Sequence, residues 1–143
     1  MKILAIYLAI FLTPGVTWLG DFNIAKTEAA KQHKLILINF SGSDWCGPCI
    51  MLRKEILEKP AFETYAASHL VLVRADFPRQ KKNQLSKEQQ KLNDALADKY
   101  NSEGNFPYTL LVDEQGKVLN KWNGFPNETP DKFIAEIEKY IKH

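Results

Sequence analysis

Two nearly continuous apolar runs, at residues 35–40 (LILINF) and 70–75 (LVLVRA), dominate the pattern of the chain. Runs of this kind suit strands covered on both faces, as in the middle of an α/β sheet. Around them the apolar residues recur at helical spacing. Residues 21–32 predict a helix, with Phe22, Ala25, Ala29 and Ala30 inward and Lys26, Glu28 and Lys31 elsewhere. A second helix is predicted from Cys46 to about Glu58, burying Ile50, Leu52, Ile56 and Leu57, until Lys59-Pro60 interrupts it. A short helix over 61–68 follows. Ser86 with Gln89 three residues on resembles a capping box, so another helix begins there, with Leu92, Leu96 and Tyr100 on its inner face. Residues 108–112 and 117–122 read as an antiparallel hairpin about the turn 113–116. Thr129-Pro130 opens a last helix whose apolar stripe is Phe133, Ile134, Ile137, Tyr140 and Ile141. The order is helix, strand, helix, strand, helix, strand, strand, helix. It predicts an α/β fold with a central mixed β-sheet and helices on both faces.

The first residues have a different pattern. Met1-Lys2 gives a positive start, residues 3–12 are an unbroken apolar run, and Thr13-Pro14-Gly15 breaks it. Such a run is too short to span a bilayer, which needs about 20 residues, but it fits the apolar segment of a secretory signal. Gly15 and Thr17 are small enough for a cleavage site before Trp18. The expected division is a signal peptide over 1–17 and one exported domain over 18–143. A buried N-terminal helix and an uncleaved short anchor stand as alternatives.

Composition narrows the function. Of 143 residues, 45% are apolar and 25% charged, which excludes a disordered or fibrous chain. A formal net charge of +2 is too small to argue for nucleic-acid binding or a membrane-surface role.

The chain has two cysteines, Cys46 and Cys49, separated by Gly47-Pro48. So short a loop constrains the unfolded chain little, so the pair suits chemistry better than stapling. It follows a predicted buried strand and opens a predicted helix, the context in which C-x-x-C reads as redox-active. Free N–H groups at a helix start favour nearby negative charge, so Cys46 should be a stabilised thiolate. Cys49, one turn deeper, should be less exposed and should resolve the mixed disulfide that Cys46 forms. Pro48 stiffens the turn without losing a helical hydrogen bond. No metal is expected: zinc usually takes four ligands, and His33, His69 and His143 lie at no typical spacing from the pair. A cysteine hydrolase would need a histidine base beside Cys46, and His33 and His69 both precede strands.

At Trp45-Cys46-Gly47-Pro48-Cys49 the chain resembles the thioredoxin family, whose active-site sequence it matches residue for residue. Asn105-Phe106-Pro107-Tyr108 sits where that family carries its cis-proline, and Asn123-Gly124 matches the glycine bordering its substrate groove. The longer string over 40–46 (FSGSDWC) is similar to exported single-domain thioredoxin-like (thiol:disulfide interchange) proteins of Gram-negative bacteria. The resemblance implies a thiol–disulfide oxidoreductase that reduces protein disulfides. Cys46 and Cys49 would be catalytic, and Trp45, Gly47, Pro48, Phe106, Pro107 and Gly124 would contact substrate. It implies a cis Pro107 facing the cysteines, no organic cofactor, a monomer, and a membrane electron donor to restore the dithiol. A disulfide oxidase or isomerase, and a non-catalytic binding module, are the alternatives.

The chain departs from the family at Asn39, where thioredoxins carry a buried Asp before the motif. The lysine that partners that Asp has no clear counterpart, Leu72 falling near its place. Activation of Cys49 would then use water, or another carboxylate such as Asp44 or Asp76, or simply be slower. Asp44 could equally cap the helix. The basic insertion with Arg79, Lys81, Lys82 and Lys87 reads as a solvated loop, with recognition of an acidic partner as the alternative.

Overall fold

The computed structural model describes residues 15–142. The apolar run at 3–12 and the end residue His143 lie outside the described residues. The expected cleavage point falls at the first residue of strand β1 (Trp18–Leu19).

At the middle of the sheet is strand β2 (Leu35–Ser41). It pairs in parallel with β3 (Leu70–Asp76) and antiparallel with β4 (Tyr108–Val112). β1 lies parallel to β3 at one edge, and β5 (Val118–Asn123) lies antiparallel to β4 at the other, giving the order β1-β3-β2-β4-β5. The two-residue β1 has too little sequence to show a period, and the sequence pattern does not reveal it.

Alternation along the strands divides the core in two. Ile36, Ile38, Phe40, Val71, Val73, Ala75, Leu110 and Val112 pack with Ala25 and Ala29 of helix α1 (Phe22–Gln32) and Leu96 of α4 (Lys87–Tyr100). Leu37, Leu70, Leu72 and Leu111 face the other way. They meet α2 (Gly47–Leu52), α3 (Pro60–His69) and α5 (Pro130–Glu138), with Phe62 and Phe133 fully buried between them.

Helix starts follow their caps. Asp21 accepts from Asn23 N (2.8 Å), Ser86 from Gln89 N (3.1 Å) and Thr129 from Lys132 N (3.2 Å). Only half of the expected capping box forms at Ser86. The Gln89 side chain instead donates to Gly20 O (2.8 Å) and Asn93 Oδ1 (2.9 Å).

That network corrects the inner face of α4. Leu92 is 39% exposed, while Asn93 is buried and donates to Asp76 O at 2.9 Å. Turning Asn93 inward satisfies a main-chain carbonyl of β3 and leaves Leu92 outside.

The predicted helix from Cys46 to Glu58 is also two pieces. α2 ends at Leu52, and Arg53–Leu57 forms a π-helical turn, with Glu58 N bonded to Arg53 O at 2.8 Å. The wider turn brings Leu57 over Leu52, so Leu52, Ile56 and Leu57 are all buried. An unbroken α-helix would point Leu57 away from Leu52.

Phe133 packs against Phe62 (ring centroids 5.9 Å apart) and Trp122 (4.8 Å) at the centre of the second core. Phe133→Ala should lower unfolding free energy by about 3–5 kcal/mol. Urea denaturation followed by fluorescence checks this, and a loss under about 1 kcal/mol would show that the contact is not central.

Candidate active site

The end of β2 delivers the chain to the motif. Gly42 O accepts from the N–H groups of Trp45 (3.2 Å) and Cys46 (2.9 Å), closing a tight turn. Cys46 is the N-cap of α2, with extended backbone, and its Sγ accepts from Cys49 N at 3.2 Å. Gly47 and Pro48 form the exposed first turn, where a proline costs no helical hydrogen bond. Cys49 Sγ accepts from Gly42 N at 3.4 Å. The two cysteines are joined by a disulfide, their Cα atoms 5.2 Å apart. The exposure difference expected between them is slight in this state: Cys46 is 5% and Cys49 3% exposed.

Trp45 is held from three sides. Its Nε1 donates to Phe77 O at 2.8 Å, Phe106 meets its ring edge-to-face (5.4 Å), and the Arg79 guanidinium carbon stands 3.7 Å from its ring centroid. A Cβ on Gly42 would lie 2.3 Å from the rigid indole, so only glycine lets the ring pack there.

The loop to Phe106 and Pro107 is clamped by buried Asn101. Its Nδ2 donates to Asn105 O and its Oδ1 accepts from Asn105 N, both at 2.9 Å. The Phe106–Pro107 peptide bond is cis. Gly124 N donates to Pro107 O at 2.9 Å. Gly124 has φ +91°, and the space where its Cβ would sit is open. Trp45, Phe106, Pro107 and Gly124 are thus linked in series, from the ring contact of Trp45 with Phe106 to the hydrogen bond between Gly124 and Pro107.

Beneath α2 the departure from the thioredoxin pattern is structural. Buried Asn39 donates from Nδ2 to Thr109 Oγ1 at 3.1 Å. The residue opposite Asn39 on β3 is Arg74, two residues beyond Leu72. Leu72 instead belongs to the apolar core and pairs with Leu37. The Arg74 guanidinium lies 4.1 Å from the Trp18 ring centroid. Burial, helped by nearby Arg53, holds its pKa below the usual guanidinium value, against the pull of Asp76 and Glu58.

Neither candidate carboxylate bonds a sulfur. Asp76 accepts from Ser43 N (3.0 Å), Ser43 Oγ (2.5 Å) and Phe77 N (3.0 Å). Asp44 does not cap α2. It accepts from Arg79 N and Gln80 N (both 2.9 Å) and Asn83 Nδ2 (3.0 Å), securing the segment after β3. The Arg79 amide and these other donors hold its carboxyl below the usual carboxylate range. His33 and His69 line a cleft at the opposite end of the sheet, where β2 and β3 begin. Among the described residues, no group of three or more His, Cys, Asp and Glu is placed to hold a metal ion. No helix among them is long and apolar enough to cross a membrane.

Gly42, Ser43 and Phe77 are the site residues that sequence reasoning did not single out, while Asp76 and Arg79 were named there for other roles. Only Gly42 and Ser43 left a trace, in the string before the motif.

With fold and site in view, similarity to known proteins becomes specific. The thioredoxin-like domain family matches residues 22–141. The chain belongs to this family. Disulfide bond reductase DsbH of Chlamydia pneumoniae is 35% identical over 116 residues, which is 80% of this chain and 68% of that protein. Thioredoxin-related protein DsbJ of the same organism is 30% identical over 115 residues, 80% of this chain but only 32% of its own length. A solved DsbH oxidoreductase superimposes with a TM-score of 0.79 at 29% identity, covering 89% of this chain and 85% of its own. Thioredoxin from Thermus thermophilus has a TM-score of 0.61 at 16% identity, over 87% of this chain and 85% of its own, and shares the fold. With a disulfide at the start of α2, this family member is a thiol–disulfide oxidoreductase.

Two tests address the packing around Trp45. Gly42→Ala should displace the indole and shift its fluorescence; an unchanged spectrum would contradict the close approach. Asp44→Ala should speed hydrogen exchange at the Arg79 and Gln80 amides by at least about tenfold. Acid should do the same to the native chain. The folded pKa of Asp44 is lowered, so its contribution is complete above the unfolded carboxylate value, near pH 3.9, and is lost as pH falls through the lowered value. Loosening of residues 79–83 that began above pH 6 would point to another group.

Proposed function

We propose that this chain reduces protein disulfides, with Cys46 as nucleophile and Cys49 as resolving thiol. The observation carrying the reading is the Cys49 N–H aimed at Cys46 Sγ at the N-cap of α2. A donor fixed there stabilises negative sulfur at no cost in reorganisation.

In the dithiol form, the Cys46 thiolate attacks one sulfur of the substrate disulfide. A Cys46–substrate bond forms, the substrate S–S bond breaks, and the departing thiolate takes a proton from solvent. Cys49 then loses its proton and attacks Cys46 Sγ. The second substrate thiol leaves, and the Cys46–Cys49 disulfide is restored. Two electrons have moved from the pair to the substrate. The sulfurs hold them, so the cycle needs no organic cofactor.

Trp45, Gly47, Pro48, Phe106, Pro107 and Gly124 form the substrate groove in this reading. The Phe106 main-chain N–H and C=O enter none of the hydrogen bonds among the described loops, which leaves them for an extended substrate segment. Open space at Gly124 lets that segment approach closely.

Direction rests on Gly47-Pro48, the dipeptide that goes with reducing potentials in this family, and on the 35% identity to a protein named a disulfide bond reductase. The signal-like run at 3–12 supports export to the periplasm, where a membrane electron donor would return the two electrons. The chain acts as a monomer in this account.

Cys46→Ser should abolish reduction of insulin disulfides, and Cys49→Ser should accumulate a mixed disulfide through Cys46. Turnover independent of Cys46 would leave only a binding module. Equilibration in glutathione buffers should give a potential near about −270 mV; a value above roughly −200 mV would assign an oxidase or isomerase instead.

A further inference from the structure

Nothing in the exchange chemistry requires the segment between β3 and α4, yet it is built onto the active site. Asp44, two residues before Cys46, receives the amides of Arg79 and Gln80 and the side chain of Asn83. A 3₁₀ turn over Lys81–Asn83 follows. The guanidinium of Arg79 lies on the Trp45 ring, and Phe77 and Phe106 meet edge-to-face, ring centroids 5.5 Å apart. Insertion, motif and proline loop therefore share one aromatic cluster.

The charge on this segment is one-sided. Residues 77–87 carry Arg79, Lys81, Lys82 and Lys87 and no carboxylate. All four are exposed, and none takes part in the ion pairs found among the described residues. Two acidic groups bond to this segment: Asp76 accepts from Phe77 N at its start, and both oxygens of Asp44 are occupied by N–H donors of Arg79, Gln80 and Asn83. A simple solvated loop would not need this scaffold. Stacking holds the Arg79 guanidinium in place, while its in-plane N–H groups can still take a carboxylate in a bidentate pair.

We propose that Arg79, Lys81 and Lys82 select substrates that carry Asp or Glu beside the attacked disulfide. The inference rests on Cys46 and Cys49 being the reactive pair. It adds a specificity element on the Trp45 side of the groove and leaves the transfer of electrons as written above. Exposed charge pairs are individually weak, so the effect is one of selection rather than of catalysis. It is screened within a Debye length of about 8 Å at physiological ionic strength.

The test compares the reduced full chain on three substrates. Two are disulfide-bonded peptides identical except for flanking Asp/Glu or flanking Lys, and the third is neutral bis(2-hydroxyethyl) disulfide. At low salt, kcat/KM for the acidic peptide should exceed that for the basic one by about fivefold to tenfold, and the ratio should fall toward one above roughly 0.5 M salt. Arg79→Gln should reduce the ratio, and Lys81→Glu/Lys82→Glu, which does not touch Trp45, should invert it. Equal rates on both peptides at low salt, or a preference that survives the charge reversal, would overturn the proposal. Failure to reduce any of the three substrates would instead overturn the assignment of the reactive pair.

Discussion

Two main-chain amides, one on each sulfur, are the constraint on which this site depends. Cys49 N–H points at Cys46 Sγ, and Gly42 N–H points at Cys49 Sγ. The first requires that α2 begin at Cys46; the second requires that β2 end beside it. Both conditions are set by packing rather than by the motif. Ile36, Ile38 and Phe40 fix β2 in one core, while Leu52, Ile56 and Leu57 fix α2 and the π-helical turn in the other. Burial works against the same sulfurs, since desolvation favours the neutral thiol. A helix N-terminus contributes about 0.3–1 kcal/mol to a nearby anion, and up to about 2 kcal/mol where the group is partly buried. One pKa unit is about 1.36 kcal/mol. The donors therefore have to be well aimed, and Cys49 N–H, 3.2 Å from Cys46 Sγ, is the donor placed for it.

The polar layer below α2 gives the second half-reaction its character. Asn39 donates to Thr109, and neither takes up a proton at neutral pH. The two nearby carboxylates serve the scaffold, Asp76 holding the Ser43 loop and Asp44 the insertion. In the proposed exchange, release of substrate by Cys49 would then draw on the Gly42 amide and on solvent rather than on a buried base. This arrangement avoids the cost of an unpaired carboxylate in the core, which a single polar pair does not incur.

Much of this was legible in the residues. The runs at 35–40 and 70–75 are continuous because both faces of β2 and β3 are covered, and Gly47-Pro48 between two cysteines leaves few other readings. The contacts that were not legible are those that join segments distant in sequence. Leu92 has the spacing of a core residue, but Asn93 wins the inner face because it can bond Asp76 O. Asp44 has the position of a cap, but the amides of Arg79 and Gln80 offer it two well-placed donors, and Cys46 caps the helix itself. Arg74 stands opposite Asn39 only because of the β2–β3 register, which no local pattern specifies. The basic insertion looks like an ordinary polar loop until Trp45 is seen beneath Arg79.

The central claim is that Cys46 is a stabilised anion in the dithiol protein. Its most direct test is the rate of iodoacetamide alkylation at Cys46 across a pH series, compared with the same chain unfolded in urea. The rate should reach its plateau well below about pH 8.5, where an ordinary thiol ionises, and should return to ordinary thiol behaviour on unfolding. Identical pH profiles for the folded and unfolded chains would contradict it.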